Sequence, residues 1–348
     1  MKHWRGLKKV KILLYSEGKN LFSKSGVGKA LEHQKRALGL NGIEYTQDPN
    51  DSCDIVHINT IGISSWKVLK KAKKKKIPVI YHTHTTSEDF RGSVKFSNQL
   101  SYIIKIWAKK LYSSADYLIS PTNYTKNLIL EKYVDNKEIR VISNGVDLEV
   151  FTKNISLAEK FRTEFKLESH EKVIMTAGLP FERKGILDLA EIAKEMPEYK
   201  FIWFGASSIK NILPRKIRKV IENPPKNLIF PGFVDQDLLL GAYSSADLFF
   251  FPTYEENEGI VILEALAMNL PVLVRDIPVY EDWLTNEVNC FKGNNNDEFK
   301  KKIKEISENK NLNMLASAYK VASERKISVV GEKYKDYYEY ILKKSGTN

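Results

Sequence analysis

The stretch FPTYEENEGIVILEALAMNLPVLV, residues 251–274, carries the pattern that decides the fold class. A polar turn, residues 252–259, leads directly into an apolar run with helical spacing. The turn therefore holds Glu256, and the helix that it begins holds Glu264 after seven intervening residues. The apolar segments that flank this helix are typical of buried parallel strands.

Glu256 and Glu264 are suited to a nucleotide-sugar ligand. The first N–H groups of a helix and the positive end of its dipole favour an anion such as a diphosphate. Carboxylates beside them can accept hydrogen bonds from sugar hydroxyls. The alternative is an ordinary loop and amphipathic helix whose acidic side chains are only solvated.

The same alternation of strand and helix runs through the whole chain. It predicts an α/β fold with two Rossmann-like domains, each with a parallel sheet, facing a cleft where ligands meet. The strand-like runs are residues 10–15, 54–59, 78–84, 117–122 and 139–145, then 172–178, 200–205, 227–232, 248–253 and 271–276. We expect the first domain to cover residues 1–150 and the second 151–325, with a linker around residues 147–167.

Composition narrows the function classes. The chain has 348 residues, which suits two domains, and only two cysteines, Cys53 and Cys290, which are far apart and predict a reducing cytoplasm without a disulfide framework. No apolar run approaches the roughly 18 residues needed to cross a bilayer, so membrane association would be peripheral. Residues 1–150 hold 26 Lys and Arg against 14 Asp and Glu, so the net charge of +12 belongs to this half. This imbalance predicts a polyanionic partner for one domain only.

Two further segments are candidates for phosphate binding. Arg183 and Lys184 lie at a strand-to-helix turn, where two cations would neutralise a diphosphate. Gly26 and Gly28 lie in a predicted loop before a helix that begins at about Ala30, where bare backbone can approach a phosphate. The alternatives are a solvated basic turn and a tight turn.

The E-x7-E spacing, with the EALA helix and the Pro-Val pair at residues 271–272, resembles the donor-site signature of retaining GT-B glycosyltransferases of family 4. The resemblance implies that Gly259, Ile260 and the two glutamates bind a UDP-sugar donor. It also implies that Arg183 and Lys184 stabilise the leaving diphosphate, although Leu179 stands where the family usually has an arginine. Its further implications are a glycine loop at Gly26 and Gly28, uracil contacts from Phe233 and Val234, and a C-terminal helix, about 326–348, that rejoins the first domain.

The string HTTSEDF, residues 84–90, resembles a segment of bacterial diacylglycerol glycosyltransferases. It implies that His84 contacts the donor hexose near the reacting carbon. The alternative is a structural histidine, for which His82 is the better example.

Asp235 and Asp237 form the DxD pattern that binds metal in other glycosyltransferases. Their position between a strand and a helix predicts a helix cap instead. We therefore expect no metal and no cofactor, with the UDP-sugar as the donor substrate.

A basic amphipathic segment suggests a membrane surface. Its apolar face consists of Phe96, Leu100, Ile103, Ile104, Trp107 and Leu111, and its lysines are Lys95, Lys105, Lys109 and Lys110. Seven lysines between residues 67 and 76 add positive charge. The alternative is a helix that packs on its own sheet beside a solvated lysine run.

The resemblance as a whole implies a hexosyltransferase that moves glucose or galactose from a UDP-sugar to a membrane glycolipid. The expected acceptor is monoglucosyldiacylglycerol, at the inner face of the cell membrane. The alternative enzyme builds a wall or capsule polysaccharide on a polyprenyl carrier. A basic nucleic-acid-binding protein would explain the charge but not the carboxylate and cation motifs, so no nucleic-acid partner is expected.

Overall fold

The computed structural model describes residues 10–18, 25–205, 212–308 and 313–346. Its contacts divide the chain into two compact units. The first unit consists of Met1–Ser87, Ser101–Gly145 and Ile327–Asn348, and the second of Glu88–Leu100 and Val146–Lys326.

The first unit is built on a six-stranded parallel sheet in the order β2-β1-β3-β4-β5-β6. Its strands are β1 (Lys11–Tyr15), β2 (Glu44–Thr46), β3 (Ile55–Ile58), β4 (Val79–His82), β5 (Tyr117–Ser120) and β6 (Ile139–Val141). Helices α1 (Gly26–Leu40), α2 (Ile63–Lys74), α5 (Asn123–Lys132) and α13 (Ile327–Lys344) belong to this unit, and α3 (Ser87–Phe90) and α4 (Ser97–Ser114) cross its boundary.

The second unit has a six-stranded parallel sheet in the order β12-β11-β10-β7-β8-β9. Its strands are β7 (Lys172–Ala177), β8 (Tyr199–Phe204), β9 (Leu228–Gly232), β10 (Leu248–Phe251), β11 (Val272–Arg275) and β12 (Phe291–Gly293). Its helices are α6 (Ile155–Glu164), α7 (Ile186–Glu195), α8 (Arg215–Glu222), α9 (Gln236–Ser245), α10 (Ile260–Ala267), α11 (Asn296–Glu308) and α12 (Leu315–Ser323), with 3-10 turns at Glu182–Lys184 and Pro278–Tyr280.

Helices cover both faces of the first sheet, as its apolar strands require. The four residues of β3 are all buried. Helices α1 and α13 pack on one face, and α2, α4 and α5 pack on the other. Helix α13 lies close to α1 at Gly331, where an added Cβ would come within 2.3 Å of the Ala37 carbonyl oxygen. This close packing fixes the C-terminal helix on the first unit.

All ten strand-like runs of the sequence form strands, and two short strands were not predicted. These are β2 and β12, three residues each, at the edges of the two sheets. The predicted linker at residues 147–167 is wrong in part, because Ile155–Glu164 forms a helix. The Asn154 side chain caps this helix by accepting from the Leu157 N–H at 3.1 Å, and Phe161 is buried.

The segment Glu88–Leu100 belongs to the second unit, whereas we expected it in the first domain. Asp89 forms an ion pair with Arg183 at 3.0 Å. The Lys95 N–H donates to the Ile212 carbonyl at 2.9 Å. These contacts within the second unit explain where the segment lies.

Candidate active site

The strand order of the second unit reverses between β10 and β7. In open parallel sheets, ligands bind at the carboxyl ends of the strands beside such a reversal. The loops that follow these two strands hold Arg183 and Lys184 on one side and Glu256 on the other. The loops touch at Gly185, whose φ is +75° and where an added Cβ would lie 2.4 Å from the Pro252 carbonyl oxygen.

Lys184 and Glu256 form a buried ion pair between these loops. The Lys184 Nζ contacts Glu256 Oε1, and the two side chains are 13% and 8% exposed. The Thr253 hydroxyl lies 3.3 Å from the same oxygen. Burial lowers the pKa of Lys184, and the Glu256 carboxylate opposes that shift. No described residue donates a hydrogen bond to Glu256 Oε2, so this oxygen can accept one from a ligand.

Arg183 makes a different set of contacts. Its guanidinium pairs with Asp89 at 3.0 Å and donates to the Glu255 carbonyl oxygen at 3.0 Å and to the Ser93 hydroxyl at 3.1 Å. In this arrangement Arg183 anchors the segment Glu88–Leu100. Its predicted contact with a diphosphate stays a prediction, and Lys184 is the cation that pairs directly with a predicted donor-site carboxylate.

Gly259 and Ile260 lie at the start of α10, as the sequence predicts. Gly259 is the N-cap residue with φ +91°, and no side chain caps the helix. The first N–H groups of such a helix lack intrahelical partners and can bind an anion. Glu264 lies on this helix, 3% exposed, and accepts a hydrogen bond of 3.0 Å from the Tyr243 hydroxyl. Burial and the Glu264 carboxylate raise the pKa of Tyr243, so the hydroxyl keeps the proton that it donates.

Phe233 and Val234 are half-buried on the turn after β9. Asp235 follows them and caps α9, because its Oδ1 accepts from the Leu238 N–H at 2.8 Å. The predicted helix cap at Asp235 is confirmed. Within the described residues, no group of three His, Cys, Asp or Glu side chains is arranged to hold a metal ion.

His84 lies in the first unit, beyond the end of β4. Its Nε2 lies 3.0 Å from the Asn59 amide oxygen, which can only accept, so this nitrogen carries a proton. The His84 ring stacks on the His82 ring with centroids 3.8 Å apart. Burial lowers the pKa of His84 to about 3. His84 is therefore neutral at physiological pH, and it can hydrogen-bond to a sugar but cannot supply a positive charge.

Gly26 and Gly28 lie in the first turn of α1 rather than in a loop. Ser25 is the N-cap residue and accepts a hydrogen bond of 3.3 Å from the Gly28 N–H. The helix therefore begins four residues earlier than predicted, and the expectation of a glycine loop at these two positions is wrong. Residues 19–24, which precede them, lie outside the described residues.

The predicted apolar face at residues 96–111 divides into two parts. Phe96, Leu100 and Ile103 are exposed, whereas Leu111 is fully buried. The Trp107 indole N–H donates to the Ile61 carbonyl, and the ring contacts Trp66 at a centroid distance of 6.1 Å. The lysines at 95, 109 and 110 are exposed, and Lys105 is half-buried. The C-terminal half of the face is core, and only the N-terminal half remains available as a surface.

Three site residues were missed by sequence reasoning. Asn59 orients His84, Tyr243 holds Glu264, and Asp89 pairs with Arg183. Asp89 lies inside the HTTSEDF string, but nothing in the sequence indicates its partner. A polar residue directly after a buried strand is the only signal for Asn59.

Comparisons with known proteins identify the family. The family model described as Glycosyl transferases group 1 matches residues 158–344, and that of Glycosyltransferase Family 4 matches residues 45–150. The first model covers more than half of the chain, so the chain belongs to the glycosyltransferase family that this model describes. The GT-B fold and the membership of family 4 that the motifs imply are confirmed, and the protein is a glycosyltransferase.

Two curated relatives of this glycosyltransferase carry names from glycolipid synthesis. The processive diacylglycerol alpha-glucosyltransferase of Acholeplasma laidlawii is 44% identical over 96% of this chain and 99% of its own length. The alpha-galactosylglucosyldiacylglycerol synthase of Streptococcus pneumoniae is 27% identical over 87% of this chain and 81% of its own.

A solved structure shares the fold of this glycosyltransferase. The Anabaena protein HepE, in complex with UDP-glucose, superposes with a TM-score of 0.76 and 16% identity over 95% of this chain and 99% of its own. Among the described residues of the chain, no helix is long and apolar enough to span a membrane.

Proposed function

We propose that this protein is a retaining hexosyltransferase that moves glucose or galactose from a UDP-sugar to a membrane glycolipid. The proposed acceptor is monoglucosyldiacylglycerol. The observation that carries the proposal is the buried Lys184–Glu256 pair beside the strand reversal, with one carboxylate oxygen open to a ligand. The names of the two curated relatives, both from the synthesis of glycosylated diacylglycerols, support the lipid acceptor.

On the donor side, charge stabilisation of the leaving group is the main chemical task. Lys184 lies where it can exchange its Glu256 partner for the diphosphate, and the uncapped start of α10 offers N–H groups for the same anion. Electrostatic stabilisation of a developing charge is usually the largest single contribution to such a reaction. We propose that these groups replace a metal, that the departing diphosphate takes the acceptor proton, and that no cofactor takes part.

Both carboxylates would fix the donor rather than attack it. Glu256 Oε2 can accept from a hexose hydroxyl, and Glu264, oriented by Tyr243, can accept from the ribose. The neutral His84, oriented by Asn59, would donate or accept one hydrogen bond near the reacting carbon. Such positioning contributes by holding the donor in the reactive geometry.

On the acceptor side, we propose peripheral binding to an anionic membrane. Exposed apolar side chains on α4 lie among lysines on the same helix, and their exposed fractions are 69% for Tyr102, 62% for Ile103 and 54% for Ile106. On α2 the exposed Lys67 and Lys70 lie one and two turns from Ile63, which is 68% exposed. Apolar side chains ringed by lysines suit an interface with anionic lipids.

The test is a transfer assay with radiolabelled UDP-glucose and UDP-galactose in parallel. Acceptors are diacylglycerol, monoglucosyldiacylglycerol and a polyprenyl-diphosphate-linked sugar, each in mixed vesicles. We expect the most product with monoglucosyldiacylglycerol, and about tenfold less from a Glu256→Gln variant, whose residual turnover is still measurable. Transfer to the polyprenyl acceptor alone would overturn the lipid assignment, and DNA binding without UDP binding would overturn the enzyme assignment.

A further inference from the structure

Tyr280 is a fully buried residue of the second unit whose hydroxyl group has no hydrogen-bond partner among the described residues. It ends the turn Pro278–Tyr280, which follows β11, and its side chain is 0% exposed. Its hydroxyl group makes no hydrogen bond to any residue that the structure describes. Buried polar groups in native proteins are almost always hydrogen-bonded, so this exception calls for a physical reason.

The hydroxyl group faces the turn that carries Glu256. A Cβ added at Gly259, three residues after Glu256, would lie 3.7 Å from Tyr280 Oη, so the hydroxyl lies beside the C-terminal end of this turn. After burial, the Glu256 carboxylate is the strongest influence that raises the pKa of Tyr280. The hydroxyl therefore lies within the electrostatic influence of the Glu256 carboxylate and donates no hydrogen bond to it.

The contacts of Glu256 Oε1 account for the lack of a hydrogen bond between this oxygen and the Tyr280 hydroxyl group. Glu256 Oε1 is held by Lys184 and lies 3.3 Å from the Thr253 hydroxyl, and these contacts satisfy the charge. When a diphosphate draws Lys184 away, the buried carboxylate loses its cation. A buried carboxylate without a compensating cation or hydrogen bond is strongly disfavoured, so another donor is required.

We propose that Tyr280 is a positioning residue for Glu256, whose carboxylate accepts a hydrogen bond from the Tyr280 hydroxyl once Lys184 has turned to the diphosphate of the donor. The proposal rests on the proposed function for the role of Lys184. Tyr280 acts through Glu256 and does not itself touch the reacting atoms. The exchange keeps the carboxylate charged and oriented while a sugar hydroxyl binds to it.

The test begins with Tyr280→Phe, which removes only the hydroxyl group. Because this group has no hydrogen-bond partner among the described residues, the melting temperature of the protein without added UDP-glucose should stay the same or rise. Turnover of UDP-glucose should fall about tenfold, the effect of losing one hydrogen bond to a charged group. The matched control is Tyr337→Phe, which removes a second buried hydroxyl group without a described partner, in the first unit, and should change neither quantity.

A double variant distinguishes a positioning role from a structural one. In a Glu256→Gln background, Tyr280→Phe should reduce turnover by less than twofold, because its partner carboxylate is gone. If the loss of turnover in the double variant equals the product of the two single losses, the proposal is overturned. Unchanged turnover in the single variant Tyr280→Phe would also overturn it, and that is the result expected if the hydroxyl only binds a buried water. A drop in melting temperature like that expected for Tyr243→Phe, which breaks an existing hydrogen bond, would assign Tyr280 to the fold alone.

Hydrolysis of UDP-glucose without any lipid keeps the proposed function and the role of Tyr280 separate. If the wild-type protein hydrolyses UDP-glucose but transfers to no lipid, the acceptor assignment fails. The Tyr280→Phe variant and the wild type can then still be compared by their rates of UDP-glucose hydrolysis. If hydrolysis is equal in Tyr280→Phe and wild type, the role of Tyr280 fails whatever the acceptor is.

Discussion

The two sheets of this glycosyltransferase have the same parallel architecture but opposite chemistry at their carboxyl ends. In the first unit, buried His57, His82 and His84 form a neutral stack beside Asn59, with burial lowering the pKa of each ring. In the second unit, Lys184 pairs with Glu256, and the nearby cation Arg183 pairs with Asp89. One edge thus offers uncharged hydrogen-bonding groups, and the other offers opposite charges that a ligand can separate.

The proposed function assigns a different part of donor recognition to each of these edges. A diphosphate requires mobile positive charge, which the paired cations can supply by exchanging partners. A hexose requires hydrogen bonds without charge, which the neutral ring of His84 can supply. The charged edge and the neutral edge should therefore respond differently when their side chains are replaced.

The largest effect is expected from Lys184→Ala. It removes the cation that we propose binds the diphosphate, and it leaves the Glu256 carboxylate buried without its partner. Turnover of UDP-glucose should fall about 10- to 100-fold, since a hydrogen bond to a charged group contributes about 1.5–3 kcal/mol. Steady-state kinetics would measure the loss. The matched control is Lys216→Ala, which breaks the exposed Lys216–Glu182 pair and should leave turnover unchanged. Equal effects of the two changes would mean that the buried pair has no special role.

A smaller loss is expected from Asn59→Ala in the neutral edge. Without the amide oxygen, the His84 ring loses the acceptor that fixes its protonated nitrogen. Turnover should fall about tenfold, because one hydrogen bond to the donor is no longer oriented. Asn59→Asp keeps an acceptor at this position and should retain more activity than Asn59→Ala. The hypothesis would be abandoned if both variants were fully active.

The neutral stack should also make the protein sensitive to acid. The pKa values of His57 and His84 are lowered by burial to about 3, whereas histidines in the unfolded chain titrate near 6.5. The unfolded state therefore binds more protons below pH 6.5, and stability should fall as the pH drops from 6.5 towards 3. Each such histidine contributes a slope of about 1.4 kcal/mol per pH unit.

Melting temperatures between pH 7.5 and 5 would measure this loss. His82→Gln removes one ring of the stack, whose pKa burial also lowers, and should make the decline shallower. The exposed His170 is the control position, and His170→Gln should leave the decline unchanged. Parallel curves for all three proteins would show that the stack does not set the acid sensitivity.

Vesicle binding should depend on exposed apolar side chains and not on Trp107. Replacing Ile103 and Ile106 with serine should weaken co-sedimentation with anionic vesicles several-fold without lowering the melting temperature, because both side chains are exposed. Binding should also weaken with salt, since exposed charges are screened within about 8 Å at physiological ionic strength. Trp107→Ala should destabilise the protein instead, because the indole packs against Trp66.

The control for vesicle binding is Ile155→Ser in the second unit, where the side chain is 79% exposed. It makes the same chemical change on a surface that carries no proposed membrane contact. If it weakens sedimentation as much as the α4 changes do, the surface on α4 is not the binding site.

The smallest effect is expected from removing divalent metal. Activity should survive EDTA, because we propose that Lys184 and the start of α10 bind the diphosphate without a metal, and because Asp235 caps a helix. The measurement is the transfer rate after chelation, with and without added manganese. Loss of activity that manganese restores would show that a metal takes part in the charged edge.

The elements that could be predicted from sequence are those with a local signal. The ten apolar runs became strands because strands buried on both faces need continuous apolar residues. The edge strands β2 and β12 were missed because three residues at the edge of a sheet carry no such pattern. Glu256 and Glu264 were placed correctly on their turn and helix because turn and helix signals lie side by side in the sequence.

The partners of the site residues could not be predicted in the same way. Asn59 precedes His84 by 25 residues, and Tyr243 precedes Glu264 by 21, so their hydrogen bonds exist only through the tertiary fold. Trp107 was assigned to a membrane surface because helical spacing defines a face without telling what covers it. The structure assigns its outer neighbours to solvent and Trp107 itself to the packing of α2 against α4.

The segment Glu88–Leu100 belongs to the second unit although the residues on either side of it belong to the first, and this has a consequence for protein engineering. A fragment cut at Val146 would contain Arg183 without Asp89 and Ser93, the side chains that hold it. Exchange of donor-binding halves between related glycosyltransferases would fail at the same place if the junction followed the sequence alone. A functional chimaera needs to carry Glu88–Leu100 together with Val146–Lys326, so that the transferable module is discontinuous in the gene although it is continuous in space.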